Sequence, residues 1–328
     1  MTAVLFVTDP LGGLQADVDA SIGLMTAAQD LGADVWACET EDLAALDGRV
    51  LARARRLTLR PRHRGADHRW LVSTPWCAVV ETRTIDVAAE AELTLLRIDP
   101  PVDARYLHTT YLLELVETCG GRVANRPAGI RALHEKLVAL RFPHLCPETV
   151  VTADPRPVRD LVARVGAVVV KPVDGFAGLD VWLLRDDDAA RSLAESATRG
   201  GTRHVIAQAY LADVERGNKR LFLADGEIVG AVLRRPSPGD FRIGPPVASA
   251  DVDADDLAIT AALGPLLAGH GIALAGLDVI AGRLIEVNVT CPGGMHKTDA
   301  LLGTDLSGAT MRRLLTHRHL TERAPSWT

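Results

Sequence analysis

The sequence predicts an α/β protein whose first third is a mostly parallel, doubly wound sheet. Two observations carry that reading. Short apolar runs alternate with stretches of helical spacing, and the runs close on Gly, Pro or Asp punctuation. After Pro127 the texture changes to strands paired as hairpins, which marks a second architectural zone.

In chain order, residues 4–7 form a strand and Asp9-Pro10-Leu11-Gly12-Gly13 turns the chain. Residues 18–31 carry Ile22, Met25 and Leu31 at helical spacing and stop at Gly32. Residues 35–38 and 93–96 are strands, the second ending in Arg97-Ile98-Asp99-Pro100-Pro101. Residues 106–116 are helical, Gly120-Gly121 closes them, and 122–124 return as a strand. Ligands of doubly wound sheets sit beyond the carboxyl ends of the strands. Asp9-Pro10 and Asp99-Pro100-Pro101 are therefore candidates for a cleft, although as punctuation alone they are ordinary proline turns.

Residues 130–140 read as one helix carrying Glu135 and Lys136. Residues 168–172 form a buried strand ending in Lys171, the small-residue stretch 173–178 forms a loop, and 181–184 return as its hairpin partner. Strands follow at 205–211, 220–223 and 228–233, the last two joined by Asp225-Gly226. Residues 257–277 are uncharged over a length that nominally spans a bilayer. Gly264-Pro265 and Gly269-His270-Gly271 break that stretch into a helix, a turn and a buried strand. Residues 274–280 and 284–289 form a last hairpin through Ala281-Gly282-Arg283.

The chain has 328 residues, 48% apolar and 24% charged, which excludes wholesale disorder and suggests two or three domains. A net charge of −6 and 4% aromatic residues argue against a polybasic surface or a base-stacking platform. Eight arginines between 49 and 69 read either as a solvated strand or loop or as a nucleic-acid contact. Cysteines 38, 77, 119, 146 and 291 are odd in number with no CxxC, which speaks for reduced thiols in a cytoplasmic protein. The first residues have no basic region, and Asp9 interrupts the apolar run, so no signal peptide is expected.

The chemistry concentrates in the last hairpin. Alternation puts Glu286 and Asn288 on one face, and a three-residue turn would place Asp278 opposite Glu286. Two carboxylates and an amide oxygen are hard ligands that suit Mg²⁺; the same residues also fit the polar face of an exposed hairpin. Lys136 and Lys171, with the glycine loop that includes Gly175 and Gly178, offer cations and mobile N–H groups to a polyphosphate. No GxxxxGK[ST] occurs, and no GxGxxG follows the first strand, which speaks against a P-loop ATPase and a Rossmann dehydrogenase.

The ordered set Asp9-Pro10, Arg97-Ile98-Asp99-Pro100-Pro101, Asn125-Arg126-Pro127, His134-Glu135-Lys136-Leu137, Lys171-Pro172, Gln208-Ala209-Tyr210-Leu211, Lys219-Arg220, Gly276-Leu277-Asp278 and Glu286-Val287-Asn288-Val289-Thr290 resembles ATP-grasp ligases, and among them the bacterial glutathione synthetases. The resemblance implies an N-terminal substrate domain over 1–126 and a linker helix with central lid over 127–204. It implies a C-terminal ATP-grasp domain over 205–318 and a tail over 319–328. It implies ATP held by Lys136, Lys171, Gly175, Gly178, Gln208, Tyr210 and Leu211, and Mg²⁺ (or Mn²⁺) on Asp278, Glu286 and Asn288. Arg235, and second Arg220, would face the oxyanion of acyl transfer. Asp19, Ser21, Arg242 and Thr290 would face substrate. The activity implied is amide formation through an acyl phosphate, joining γ-glutamylcysteine to glycine, by a homo-oligomer with no nucleic-acid or membrane partner.

The chain departs from the family at Ala177, at Asn218 in place of an Asp, after Arg242, and over Cys291-Pro292-Gly293-Gly294-Met295-His296-Lys297. These departures leave open a ligase for a different acid and amine. A non-catalytic nucleotide-binding homologue is the reading from another class.

Overall fold

The first strand, Ala3–Thr8, is covered on both faces, which is why its sequence is a continuous apolar run rather than an alternation. It pairs in parallel with Asp34–Cys38 on one side and Leu93–Arg97 on the other, and Leu93–Arg97 pairs in parallel with Val123–Ala124. The computed structural model describes residues 2–175, 179–185 and 189–316; Ala177, Gly178 and the expected tail at 319–328 lie outside the described residues. Helix Ala20–Asp30 begins at Asp19, whose carboxylate accepts from the Ser21 N–H at 2.8 Å. Helix Ala104–Thr118 begins at Asp103 in the same way, with the Tyr106 N–H as donor.

The parallel part is only one side of a seven-stranded sheet. Arg49–Leu59 pairs antiparallel with Asp34–Cys38, with Leu43–Leu46 and with Cys77–Asp86. Several of the arginines in this region meet acids at the surface: Arg55 contacts Glu39 at 2.7 Å, and Arg56 contacts Glu81 at 3.1 Å. The solvated-strand reading therefore describes residues 49–59.

The continuous helix expected over 130–140 is not formed. Pro127–Ala132 is a short helix, residues 135–137 are a turn, and Val138–Arg141 is a 3₁₀ turn. Tertiary hydrogen bonds override the helical spacing here. The Glu135 carboxylate accepts from the Val289 and Thr290 N–H groups, both at 2.9 Å, and from the Thr290 hydroxyl at 2.6 Å. The Glu135 carbonyl accepts from the Val287 N–H.

The central unit is a four-stranded antiparallel sheet in the order Thr149–Thr152, Val205–Ala209, Ala167–Pro172, Trp182–Arg185. Helices Pro155–Val165 and Ala190–Ala197 cover it around a core of its own that includes Val158, Leu161, Val168, Val170 and Ala194. Val205–Ala209, expected to open the C-terminal part, is an inner strand of this sheet, because its apolar face completes that core.

The last unit is a five-stranded sheet in the order Pro246–Ser249, Glu227–Arg234, Asn218–Ala224, Leu274–Ile280, Arg283–Asn288. Helix Ala254–Gly269 and the buried strand Leu274–Ile280 match the helix, turn and strand expected there, and no described helix is long and apolar enough to cross a membrane. One core joins the first and last units: Leu5, Val7 and Tyr106 cluster with Leu221, Leu263, Leu277 and Val287. Buried Asn125 joins them further, donating to the Leu274 and Val289 carbonyls at 2.7 Å and accepting from the Leu274 N–H at 2.6 Å.

Candidate active site

A cleft of about 380 Å³ opens between the central unit and the five-stranded sheet. Its acidic centre is made by the last hairpin. The turn is two residues, Ala281 and Gly282, both in the left-handed region at φ +47° and +71°. Continued regularly, that register would set Asp278 opposite Ile285. A bulge after the Val279–Leu284 pair adds one residue and sets Asp278 opposite Glu286. The pairing expected from a three-residue turn is thus reached by a tighter turn and a bulge.

Asp278 is almost fully buried. It is gripped in bidentate fashion by Arg220, with Nε to Oδ1 at 2.7 Å and Nη2 to Oδ2 at 2.9 Å, and Arg234 also donates to Oδ1. Burial pushes the Asp278 carboxyl up, but the two guanidinium groups outweigh it and bring it down to about 2. Glu286 lies 3.4 Å from both Lys171 Nζ and Lys136 Nζ. Burial raises its pKa, and these two ammonium groups outweigh the burial, so that the carboxyl titrates below its ordinary range. Lys136 also donates to the Gly175 carbonyl. Asn288 donates to the Gly276 carbonyl at 3.0 Å beside Asp278. A Cβ on Gly276 would meet Arg220 Nη1 at 3.1 Å, so glycine there leaves the guanidinium its place.

Among the described residues no group of three or more His, Cys, Asp and Glu could hold a metal ion. The donors of Asp278, Glu286 and Asn288, two carboxylates and an amide oxygen, are of the kind that suits a hard cation taking few protein ligands and completing its shell with phosphate oxygens and water. The rest of the cleft has apolar walls from Val169, Leu179, Val181, Val214, Ile280 and Ile285, and Gln208, Ala209, Tyr210 and Leu211 run along one side. The N–H groups of Ala209 and Tyr210 are taken by the Glu148 and Ala167 carbonyls at 2.8 and 2.9 Å.

Of the residues singled out from the sequence, Lys136, Lys171, Gly175, Gln208, Tyr210, Leu211, Arg220, Arg242, Asp278, Glu286 and Asn288 line this cleft. Arg235 does not. It is exposed, and its Nε donates to the Arg216 carbonyl at 3.1 Å. Arg234, which the sequence reading passed over, takes the inner place, donating to Asn218 Oδ1 at 2.6 Å and to Asp278. The reason is a second bulge. A regular hairpin through Asp225-Gly226 would put residue 235 on the face of Arg220, but the register shifts between Phe222 and Leu223, so Arg220 pairs with Val232 and Asn218 with Arg234. Burial lowers the Arg234 pKa to about 10, against the pull of Asp278.

Asp19, Ser21 and Thr290 stand apart from the cleft. Thr290 is bound to Glu135, and Asp19 caps its helix. Ser21 Oγ accepts from Arg97 Nε at 3.3 Å, and Arg97 Nη2 reaches the Pro292 carbonyl at 3.2 Å. Around Arg97, at the carboxyl ends of the parallel strands, lies a second cluster of polar groups. Asp9 accepts from the Asp99 N–H at 2.9 Å, the Cys291 thiol lies beside Asp99, and burial with Asp19 and Asp9 nearby raises the Asp99 pKa. Arg97 Nη1 and the Tyr106 hydroxyl are buried there without a partner among the described residues.

A cleft that sets two lysines and two arginines against an acidic hairpin, under an antiparallel lid, defines the ATP-grasp ligases. Within that class the chain belongs to the prokaryotic glutathione synthetase family. Residues 2–131 match its N-terminal domain and residues 135–303 its ATP-grasp domain. The glutathione synthetase of Thermosynechococcus vestitus is 37% identical over 94% of this chain and 98% of its own length. That of Prochlorococcus marinus is 39% identical over 95% and 98%. Among solved structures, D-cycloserine synthetase DcsG superposes with a TM-score of 0.62 at 21% identity, over 95% of this chain and 99% of that one, which shows the shared fold. The chain is thus an ATP-dependent ligase of carbon–nitrogen bonds that uses a divalent cation.

Proposed function

We propose that this chain joins the cysteinyl carboxylate of γ-glutamylcysteine to the amine of glycine, with ATP converted to ADP and phosphate. The observation that carries it is the ionised Asp278–Glu286 pair facing Lys136, Lys171, Arg220 and Arg234 in one cleft. The carboxylate oxygen attacks the γ-phosphorus and ADP leaves; the amine nitrogen then attacks the acyl carbon, phosphate leaves, and the nitrogen loses a proton. Lys136 and Lys171 hold the phosphates. Arg220 and Arg234 face the oxyanion that develops as the amine attacks, and one such donor contributes about 10²–10³ in rate. A divalent cation, which we take to be Mg²⁺ with Mn²⁺ as the alternative, would be held by Asp278, Glu286 and Asn288 and would supply neutralisation of the β- and γ-phosphates.

The base packs between Val169, Val181 and Ile280, with Leu211 offering its backbone. The amino-acid end of the dipeptide, an ammonium and a carboxylate, matches in charge the cluster of Asp9, Asp99 and the unsatisfied Arg97 Nη1. Arg242 at the mouth suits the carboxylate of glycine. Thr290 supports Glu135 rather than touching substrate. We place the enzyme in the cytoplasm, acting on small molecules without nucleic-acid or membrane partners. Self-association is supported by Val79 and Val80, each 51% exposed on the outer strand Cys77–Asp86.

The test is ADP release with Mg-ATP, γ-glutamylcysteine and glycine, each omitted in turn. Turnover that needs all three, with the tripeptide detected by mass, is expected. Thermal protection by ATP without turnover on this pair would overturn the substrate assignment and keep the ligase.

A further inference from the structure

Two of the arginines in the dense stretch, Arg62 and Arg64, sit on a strand outside the sheet. Arg62–Arg64 and Trp70–Val72 form a separate two-stranded hairpin between Arg49–Leu59 and Cys77–Asp86, and it lies against helix Met295–Leu302. Trp70 Nε1 donates to the His296 carbonyl at 2.8 Å, and its ring stacks on the His296 ring with centroids 5.5 Å apart. The Arg62 guanidinium lies 4.5 Å from the Trp70 ring centre, with Nη1 3.4 Å from His296 Nδ1. Arg64 donates to the carbonyls of Ala300 and Leu301.

His296 is fully buried, and its Nε2 lies 3.0 Å from the Ala16 carbonyl. Arginine only donates, so Nδ1 accepts from Arg62, and Nε2 carries the hydrogen and donates to Ala16. One imidazole thus joins three pieces of chain: the turn after the first strand, the arginine hairpin and helix Met295–Leu302.

That helix is preceded directly by Cys291-Pro292-Gly293-Gly294. The loop carries two acceptors for guanidinium groups from different sheets: the Pro292 carbonyl takes Arg97 Nη2 at 3.2 Å, and the Gly293 carbonyl takes Arg220 Nη1 at 3.3 Å. Gly294 stands at φ +99°, a conformation glycine adopts without strain. A loop with two glycines has little stiffness of its own, so its aim depends on what anchors the helix behind it.

We propose that His296 is a positioning residue for the acid-substrate site: held by Arg62, Trp70 and Ala16, it sets the Cys291–Gly294 loop and through it the aim of Arg97 and Arg220. This rests on the proposed function, in which the dipeptide lies between those two arginines. Displacement of a positioned group by about 1 Å costs about 10²-fold.

His296→Phe keeps a ring against Trp70 and removes both ring-nitrogen hydrogen bonds. KM for γ-glutamylcysteine is expected to rise about tenfold, with the Kd for ATP unchanged, because Lys136, Lys171 and Glu286 are not touched. His296→Gln, which can both accept and donate, recovers part of the loss. Trp70→Phe, which removes only the indole N–H, gives a smaller rise and serves in its place if the first variant does not fold. A KM for the dipeptide within about twofold of wild type in a variant that binds ATP normally would overturn the proposal, as would ATP affinity lost in parallel. Hydrogen exchange over residues 287–297 is measured alongside. If the wild type makes no tripeptide, the substrate reading fails, and unchanged exchange there in His296→Phe overturns the loop assignment separately.

Discussion

The lid and the body of this molecule are built on opposite principles. The body merges two units through shared apolar cores, one running from Leu5 and Tyr106 to Leu277 and Val287 and another from Val4 and Phe6 to Phe222 and Leu274. The lid, residues 149–209, encloses a separate core around Val158, Leu161 and Val170. Across the cleft the contacts are polar. The lid's Lys171 pairs with the body's Glu286, and Lys136, next to the body-bound Glu135, donates to the Gly175 carbonyl of the lid loop. An apolar seam holds two units as one body, whereas a polar seam lets ligand phosphates and a cation take over contacts that protein charges make without them.

The contrast is most vulnerable at the polar seam. Glu286→Gln removes the negative charge that faces both lysines and leaves one amide oxygen in place of two carboxylate oxygens. We expect turnover to fall by about 10³-fold or more in an ADP-release assay, with the melting temperature little changed. Activity within tenfold of wild type would contradict the role given to the cleft.

Next come two adjacent arginines. Arg234→Ala is expected to lower kcat/KM by about 10²-fold, and Arg235→Ala to leave it within about twofold. Equal losses in steady-state kinetics would mean that the bulge does not set the inward face.

The two cores give the third test. Leu161→Ala in the lid and Leu277→Ala in the body each remove a fully buried side chain and should cost about 2–5 kcal/mol. Hydrogen exchange is expected to rise only in the lid for Leu161→Ala, and bound ATP should restore its protection. Leu277→Ala should lower protection through both merged units. A global loss of protection in Leu161→Ala would show that the cores are not independent.

The last effect belongs to the body and depends on pH. Burial brings the His296 pKa down to about 4, with Arg62 acting the same way and the Ala16 carbonyl and Asp17 opposing. The unfolded chain then binds the proton first, so this group's contribution is complete above about pH 6.5 and is lost as pH falls toward 4. It amounts to roughly 3 kcal/mol. Denaturant unfolding of wild type and His296→Phe across that window should diverge with that sign. Asp278 and Glu286 act lower, because their folded pKa values are depressed: their contribution is present above about pH 4 and is lost below it. Parallel curves would remove His296 from the acid limb.

Much of the architecture was legible because burial leaves a direct mark on sequence. Ala3–Thr8 and Leu93–Arg97 are apolar runs because both of their faces are covered, and the helices between and after them begin at Asp caps. The chemistry of the site was legible too, since Lys136, Lys171, Asp278, Glu286 and Asn288 are residue types with few uses inside a protein other than charge and coordination. What was not legible depends on partners far away in the chain. Glu135 breaks a helix because Val289 and Thr290 claim its carboxylate, and Val205–Ala209 joins the lid because Thr149–Thr152 and Ala167–Pro172 receive it.

Most strands and helices, the supply of charged groups and the family were thus written in the chain itself. Which of these groups meet was settled only by the folded arrangement. A bulge between Asn218–Ala224 and Glu227–Arg234 and another between Leu274–Ile280 and Arg283–Asn288 each shift the register by one residue; they turn Arg234 inward in place of Arg235 and bring Glu286 opposite Asp278. The physical reason is that side chains alternate along a strand with period two, so a single extra residue exchanges the buried and exposed faces, and no local propensity records where that residue falls.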